Sequence, residues 1–463
     1  MEFEVLKRSH LKRNIIIGVV VVAIISAILL NFTQAKYRVT QSIPIVNGTI
    51  NYKVPDLNLV SLYVTNEEGQ YVEADTIPTS GYTLNTIESY CGISNNGEIV
   101  KDDNVILNYE NGSMTFSNVT RKGTKCYLYF DVYEEPVLLS QAILADNPTI
   151  DNSRSGEITG PLTDNTTGTL FTAEDDYGTS LIFAGDVDNN WVYFAEFYWR
   201  IIRINGDGSI RLIYSGDSES GPAETGDDTQ IGTSQFNEQH GDNAYVGYMY
   251  GTPGSDTYEE THANINDSTI KITVDLWYKN NILGTKQEQY ISTEAGFCGD
   301  RRIATTSEVF WEYDTKLGYG SANPTAYAPR ARFLETNGSA SNVQTPTLKC
   351  SQSNDLYTVN TSKRGNHALD YPIGLITTDE IVLAGGFVAH TNANFYLYTG
   401  QTYWTISSAY YHLGWNYMFS NSNNVNIDGG ENLAGVRPVI NLDANVTISS
   451  GDGTSSNPYV VGN

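Results

Sequence analysis

The sequence predicts a mostly β chain with short helices, of the α+β class, preceded by one membrane-spanning segment. Three observations predict it. Short alternating or continuous apolar runs recur along the chain, separated by turns rich in Asn, Gly and Asp. Tyrosine and glycine are abundant, at 32 and 41 of 463 residues, which suits strands joined by many turns. Helix start and stop signals occur at only a few places. The length allows two or three domains. Against 27 Lys and Arg stand 53 Asp and Glu, a net charge of -26. That balance excludes the basic footprint nucleic-acid binding requires, disfavours anionic lipid, and describes a soluble surface held apart by like charge.

Residues 1–36 comprise the basic flank Lys7-Arg8-Ser9-His10-Leu11-Lys12-Arg13 and an uncharged run from Ile15 to Leu30, extended to Phe32. The run is read as an uncleaved signal-anchor, with a cleaved signal peptide ending at Ala35 as the alternative. The flank stays cytoplasmic and the rest is translocated, giving a single-pass protein of the cell membrane held through residues 15–32. No C-terminal sortase-type signal is found.

Residues 37–135 read as a small β domain. Tyr37–Ile43, Val60–Val64 and Val105–Tyr109 alternate, and Cys126–Val132 closes the domain as a strand. Turns fall at 66–69, 95–97 and 110–112. Some seven short strands with a disulfide suggest an Ig-like β-sandwich, without the tryptophan of antibody domains, acting as a stalk. The four cysteines make two separated pairs with no C-x-x-C. In an exported chain the domain-local pairing is Cys91–Cys126 and Cys298–Cys350.

Residues 136–179 read as one short helix near Val137–Ala145 and then a linker rich in Thr, Gly, Asn and Asp. Residues 180–463 form a mixed domain. Leu181–Gly185 and Trp191–Ala195 are strand-like. Tyr198–Ile204 and Ile210–Tyr214 flank Asn205-Gly206-Asp207-Gly208 as a hairpin, with arginines among Ile and Leu suggesting a solvent-facing side. Asp267-Ser268 caps a helix from Thr269 to about Asn280 with Ile270, Val274 and Trp277 on one face. Thr377-Thr378-Asp379-Glu380 is a capping box, stopped by Gly385-Gly386.

Several stretches carry a resemblance: Tyr198–Ile204, Leu276-Trp277, Gly296–Arg301, Leu348–Cys350, Tyr371–Thr377, Tyr403–Thr405 and Gly435-Val436-Arg437-Pro438-Val439-Ile440-Asn441-Leu442. Over residues 80–463 the chain resembles an exported, Firmicutes-type surface-protein family. More distantly, residues 180–448 are similar to the C-type-lectin-like domains of formylglycine-generating-enzyme-like and phage receptor-binding proteins. The resemblance implies a lectin-like fold at 180–463. The Glu-Pro-Asn and Gln-Pro-Asp signatures of calcium-dependent sugar binding are absent. Cys298 and Cys350 sit in motifs that suggest a structural bridge, so formylglycine-type catalysis is not carried over.

The chemistry-bearing motifs are few. His10, His240, His262, His367, His390 and His412 form no zinc spacing, and there is no nucleophile elbow, P-loop or dinucleotide fingerprint. Asp186, Asp188, Asn189 and Asn190 resemble half a calcium loop and lack its glycine and distal glutamate. No catalytic residue, metal or cofactor is assigned. The candidate binding residues are Tyr410, Tyr411, His412, Trp415, Asn416 and Tyr417. They lie in a segment, Ser407 to Asn432, whose Tyr, Asn and Ser content suits both a displayed recognition loop, even a diversified one, and an ordinary polar loop. The expectation is an adhesin-like surface protein binding an extracellular protein or glycan. The alternatives are a structural cell-envelope protein and an exported enzyme of the formylglycine-generating type.

Overall fold

The computed structural model describes residues 58–133, 136–305, 324–334, 341–412, 414–422 and 424–462, except Glu67 and Asn96, with backbone alone for 58–60. The expected anchor at residues 15–32 and the expected strand at 37–43 lie outside them. Among the described residues no helix is long and apolar enough to cross a membrane. The chain divides into two units, Met1–Glu135 and Pro136–Asn463, and the described part is mostly β with five short helices.

The first unit holds β1 Asn58–Thr65, β2 Tyr71–Glu73, β3 Tyr82–Leu84, β4 Tyr90–Asn95, β5 Glu98–Lys101, β6 Ile106–Glu110, β7 Ser113–Ser117 and β8 Lys125–Val132. Strict alternation puts Cys126, Leu128 and Phe130 of β8 in the core and leaves Tyr127, Tyr129 and Asp131 on the other face. β8 is therefore central. It pairs in parallel with β1 on one edge and antiparallel with β3 and β4 on the other, giving the order β2-β1-β8-β4-β5. The β6–β7 hairpin brings Met114 and Phe116 to Leu62, Leu84, Leu128 and Phe130. The unit thus has two layers, one of them a single hairpin. Cys91 and Cys126 are bonded as expected, but they face each other in register on adjacent strands, with Cα atoms 4.0 Å apart. The bridge lies within one sheet, whereas an antibody-type sandwich bridges its two sheets.

The second unit begins with α1 Leu139–Asp146, β9 Thr149–Asp151 and β10 Thr169–Glu174. Residues 136–179 are thus part of this unit and not a linker. Leu139 and Ile143 are fully buried, and β9 and β10 extend the large sheet. The polar composition that suggested a linker is spent on the fold. Buried Asn147 accepts from the Gly168 amide (3.2 Å) and from Asn189 Nδ2 (3.1 Å). Asp175 accepts from the amides of Tyr177, Gly178 and Gly206 and from the Ser180 hydroxyl.

That sheet also contains β11 Thr179–Ile182, β12 Trp191–Phe194, β13 Phe197–Ile204 and β14 Ile210–Asp217. β13 and β14 form the expected hairpin. β12 pairs along the first half of β13's other edge and β11 with its last residues. At the turn, a Cβ on Gly206 would stand 2.4 Å from the Gly178 amide nitrogen, so only glycine fits there. The second sheet contains β15 Thr233–Gln235; the chain then forms the pair β16 Met249–Tyr250 and β17 Asn266–Asp267. β18 Phe297–Cys298 pairs with β20 Leu356–Tyr357, and β19 Thr325–Ala326 joins the second sheet. The rest are β21 Tyr403–His412, β22 Trp415–Asn421, β23 Val425–Gly429, β24 Leu433–Gly435, β25 Val439–Leu442, β26 Ile448–Ser450 and β27 Tyr459–Val461. The second sheet runs β15-β24-β21-β22-β23 with β19 on β21; β25 completes the large sheet against β14. The remaining helices are α2 Tyr258–Thr261, α3 Thr269–Asn281, α4 Ala328–Phe333 and α5 Thr378–Leu383. Ser268 caps α3, and Ile270 and Val274 are fully buried beneath it.

The arginines of the β13–β14 hairpin do not face solvent. Arg200, Arg203 and Arg211 are all buried, because each has its own partners. Arg200 bonds Asn190 Oδ1 (2.5 Å) and the Val187 carbonyl and lies over the Trp191 ring. Arg203 and Arg211, opposite each other in register, both meet Glu380 Oε1, at 3.1 and 2.5 Å. Glu380 Oε2 accepts from the Thr377 amide, closing the expected capping box of α5. Burial opposes ionisation of Glu380, but the Arg211 and Arg203 guanidiniums outweigh it and hold the carboxyl below the usual range. Replacing it by Gln leaves two buried guanidiniums short of charge. Glu380→Gln is expected to cost about 3–5 kcal/mol, measured by urea unfolding.

A buried histidine sets a pH limit on this unit. His262 is 1% exposed, with Nδ1 3.0 Å from the Tyr258 carbonyl. Burial, and then the Arg301 guanidinium, hold its pKa well below 6.5, its value when unfolded. The unfolded chain therefore takes up the proton first. The contribution is fully present above pH 6.5 and is lost as the pH falls below it, at up to about 1.4 kcal/mol per pH unit. His262→Gln is expected to flatten the fall of the melting temperature between neutral and acid pH.

Candidate functional site

The six candidate binding residues do not form a loop. Tyr410, Tyr411 and His412 end β21, Trp415, Asn416 and Tyr417 begin β22, and the strands pair His412 with Trp415, Tyr411 with Asn416 and Tyr410 with Tyr417. Gly414, with φ of 82°, makes the two-residue turn between them. The polar composition of the segment was misleading because several of its polar groups, Ser407, Ser408, Asn416, Ser420 and Asn421 among them, are buried. Thr405 Oγ1 donates to the Phe419 carbonyl, Asn421 Nδ2 to the Tyr403 hydroxyl, and Ser407 Oγ accepts from the Thr378 amide.

Pairing separates the six by face. Tyr411 and Asn416 point to the core: the Tyr411 hydroxyl donates to the Gly241 carbonyl and Asn416 Nδ2 to that of Tyr245, each 3.2 Å. Burial pushes the Tyr411 phenol up to about 12. Tyr410, His412, Trp415 and Tyr417 share the opposite face. Tyr410 and Tyr417 stack at 4.4 Å between centroids, half-buried, with the Arg330 guanidinium over Tyr410. His412 is buried. Trp415 is 39% exposed, and its indole lies parallel to the His240 ring, with centroids 4.2 Å apart and planes 2° apart. His240, which belongs to no motif in the sequence, thus fixes the exposed tryptophan. No spacing signal links residues 240 and 415.

A cluster of charges is the other candidate. Asp175, Arg203, Arg211 and Glu380 meet Asp300, Arg332 and Asp379 around a cleft of about 30 Å³, beside the bonded Cys298–Cys350 pair. Arg332 bridges Asp300 (2.6 Å) and Asp379 (2.8 Å). Such a space holds one or two waters and no sugar or metabolite, so the cluster is an internal ion network that holds the elements together. The half calcium loop is likewise consumed: Asp188 Oδ1 accepts from Thr167 Oγ1 and Asn190 Oδ1 from Arg200.

Among the described residues one carboxylate trio has ligand-like spacing, Asp267, Asp275 and Asp370. Its cation is a side chain. Fully buried Lys271 Nζ lies 3.2, 2.6 and 3.9 Å from the three carboxylates. The nearby acids, Asp275 foremost, outweigh burial and raise the lysine pKa above its usual value. Lys271→Met, which keeps the apolar stem and removes the charge, is expected to destabilise the second unit by about 3–5 kcal/mol, read by urea unfolding, with less loss in acid, where the carboxyls protonate. No family model, no curated protein and no solved structure matches the chain.

Proposed function

We propose that the chain is an exported, adhesin-like binding protein of the cell surface that recognises an extracellular protein or glycan. In this reading residues 15–32 anchor it in the membrane, the first unit is an Ig-like stalk, and residues 180–463 are a C-type-lectin-like domain. The observation that carries the reading is Trp415. A tryptophan exposed at the tip of a tight hairpin, with its ring clamped flat on His240, offers a large contact area already paid for in entropy. Tyr410 and Tyr417 lie behind it as a stacked base. Tyr411, Asn416 and His412 orient the hairpin and do not reach a ligand. Two disulfides suit an oxidising compartment outside the cytoplasm.

The formylglycine-type alternative requires free thiols, whereas Cys298 and Cys350 are bonded to each other, which favours the binding reading over it. The structural-envelope alternative differs in outcome: it predicts no ligand and a silent tip. The test is a glycan and host-protein array probed with the full chain and with Trp415→Ala. Ligand capture is expected to weaken by about 30-fold or more in the variant, as for a binding hot spot, with unchanged melting. Equal capture by both proteins would overturn the reading.

A further inference from the structure

Cross-strand aromatic pairs stabilise a sheet, and the outer face of the first unit holds a row of them. Register places Tyr71 of β2, Tyr63 of β1, Tyr127 and Tyr129 of β8 and Tyr90 of β4 on that one face. Tyr63 and Tyr129 are direct partners and stack at 4.8 Å, with 13° between rings. Tyr90 and Tyr127 are direct partners across the next pair of strands and stack at 5.1 Å and 21°. Tyr71 meets Tyr129 edge-on at 5.0 Å. Tyr71 is 37% exposed and the others are half-buried, so the row is open to oxidants in solution. Its two ends differ in charge. Lys101 and Lys125 flank the Tyr90–Tyr127 end, both in register with Gly92, and Lys101 Nζ sits 4.4 Å above the Tyr90 ring. At the other end Glu73 stands opposite Tyr63. There the Tyr71 hydroxyl donates to Asp131 Oδ1 at 2.6 Å, and Asn85 Nδ2 holds Asp131 Oδ2 at 3.0 Å. A cation beside a ring opposes the loss of an electron, and an anion favours it. A phenol also gives up an electron more readily when a base stands ready for its proton.

We propose that Tyr63 and Tyr129 are a site of oxidative cross-linking: hydrogen peroxide, acting through a haem peroxidase, joins them as dityrosine, with Asp131 the proton acceptor that makes Tyr71 the point of entry. The first electron leaves the Tyr71 ring as its hydroxyl proton passes to Asp131. The vacancy moves to Tyr129 by edge contact and on to Tyr63 through the stack. At each move the refilled phenol regains a proton and the emptied one releases a proton. A second oxidation leaves Tyr129 in the same state. The pair lies on a solvent face, so each ring turns about its Cβ–Cγ bond to bring an ortho carbon to its partner. A carbon–carbon bond forms there, and each bonded carbon passes its hydrogen to its own phenol oxygen, which restores the ring. The peroxide takes up both electrons and both protons and becomes water. In the second unit Tyr410 and Tyr417 stack at 4.4 Å, but the Arg330 guanidinium over Tyr410 opposes its oxidation, as Lys101 does for Tyr90. The new bond joins β1 to β8, the first and last described strands of the unit. In a stalk under tension it holds the two ends of the unit together; that consequence rests on the stalk reading, whereas the cross-link does not.

The test treats the full chain, dilute and in detergent, with hydrogen peroxide and a haem peroxidase. After reduction of the disulfides, intact mass, dityrosine fluorescence and mass mapping of proteolytic fragments are read. A monomer lighter by two hydrogens is expected, with the fragment holding Tyr63 joined to the fragment holding Tyr129. Tyr63→Phe keeps a ring in the stack, so its melting is expected to be unchanged, and it is expected to lose the cross-link. Tyr90→Phe and Tyr410→Phe are expected to retain it. Asp131→Asn is expected to form it about tenfold more slowly. Ligand capture at the Trp415 hairpin does not enter any of these readouts. The proposal is overturned if no link forms within one chain, if Tyr63→Phe still forms it, or if the link maps to Tyr90–Tyr127 or Tyr410–Tyr417. It is also overturned if Asp131→Asn cross-links as fast as the unaltered chain.

Discussion

The second unit depends on one buried carboxylate. Glu380 closes the capping box of α5 with one oxygen and takes Arg203 and Arg211 with the other. Those arginines sit opposite each other on β13 and β14, so the ion pairs fix the α5 N-terminus on the large sheet. The same helix end reaches the second sheet, where Thr378 donates its amide to Ser407 and shares a hydroxyl contact with Thr405 on β21. One helix start therefore joins two sheets. The cost of burying three charges is met because each is bonded on several sides, and the ion pairs work as a locating device more than as a source of net stability. Asp175 completes the arrangement by pairing with Arg203 while holding the turn that packs on Gly206.

Arg437 does the equivalent work for the closing stretch. It is 1% exposed, donates to the carbonyls of Tyr214 and Thr229, and lies over the Tyr403 ring. Pro438 contributes its carbonyl to the Tyr214 amide, so the missing N–H of proline costs the sheet nothing there. The Gly-Val-Arg-Pro run is thus a clasp between β14, the loop at Thr229 and β21. It positions the base of the hairpin whose tip carries Trp415, which connects a scaffold motif to the candidate surface without any contact between them.

What was legible in the sequence was what local chemistry decides. The β13–β14 hairpin, the Ser268 cap, the Thr377–Glu380 capping box and both disulfide pairings follow from turn residues, cap residues and cysteine locality. What was illegible depended on partners distant in the chain. Arginines among isoleucines look amphipathic until Glu380, far along the chain, is known to meet two of them. Residues 136–179 look like a linker because Asn147 and Asp175 are polar, and the amides they satisfy are not marked in the sequence. Ser407–Asn432 looks like a loop for the same reason: β21 is covered on both sides, so its Thr and Ser are interior hydrogen-bonding groups, and bulges near Ser408 break the alternation that would have identified the strand.

With 32 tyrosines in the chain, abundance cannot locate a surface; only the face each ring occupies can. In the second unit Tyr248, Tyr278, Tyr327, Tyr357, Tyr403 and Tyr411 are fully buried; Tyr403 and Tyr411 donate to backbone carbonyls and Tyr327 to Asn243 Oδ1. Of the aromatic residues between Phe395 and Tyr417, Phe395, Tyr396, Tyr403, Trp404 and Tyr411 are buried, and the functional content of that stretch contracts to one indole. In the first unit the two-residue period of β8 sends Cys126, Leu128 and Phe130 inward and the intervening tyrosines outward. There the row is not needed for packing. The same residue type is structural where a strand is covered on both faces and available where it is covered on one, so strand register assigns the candidate surfaces in this protein.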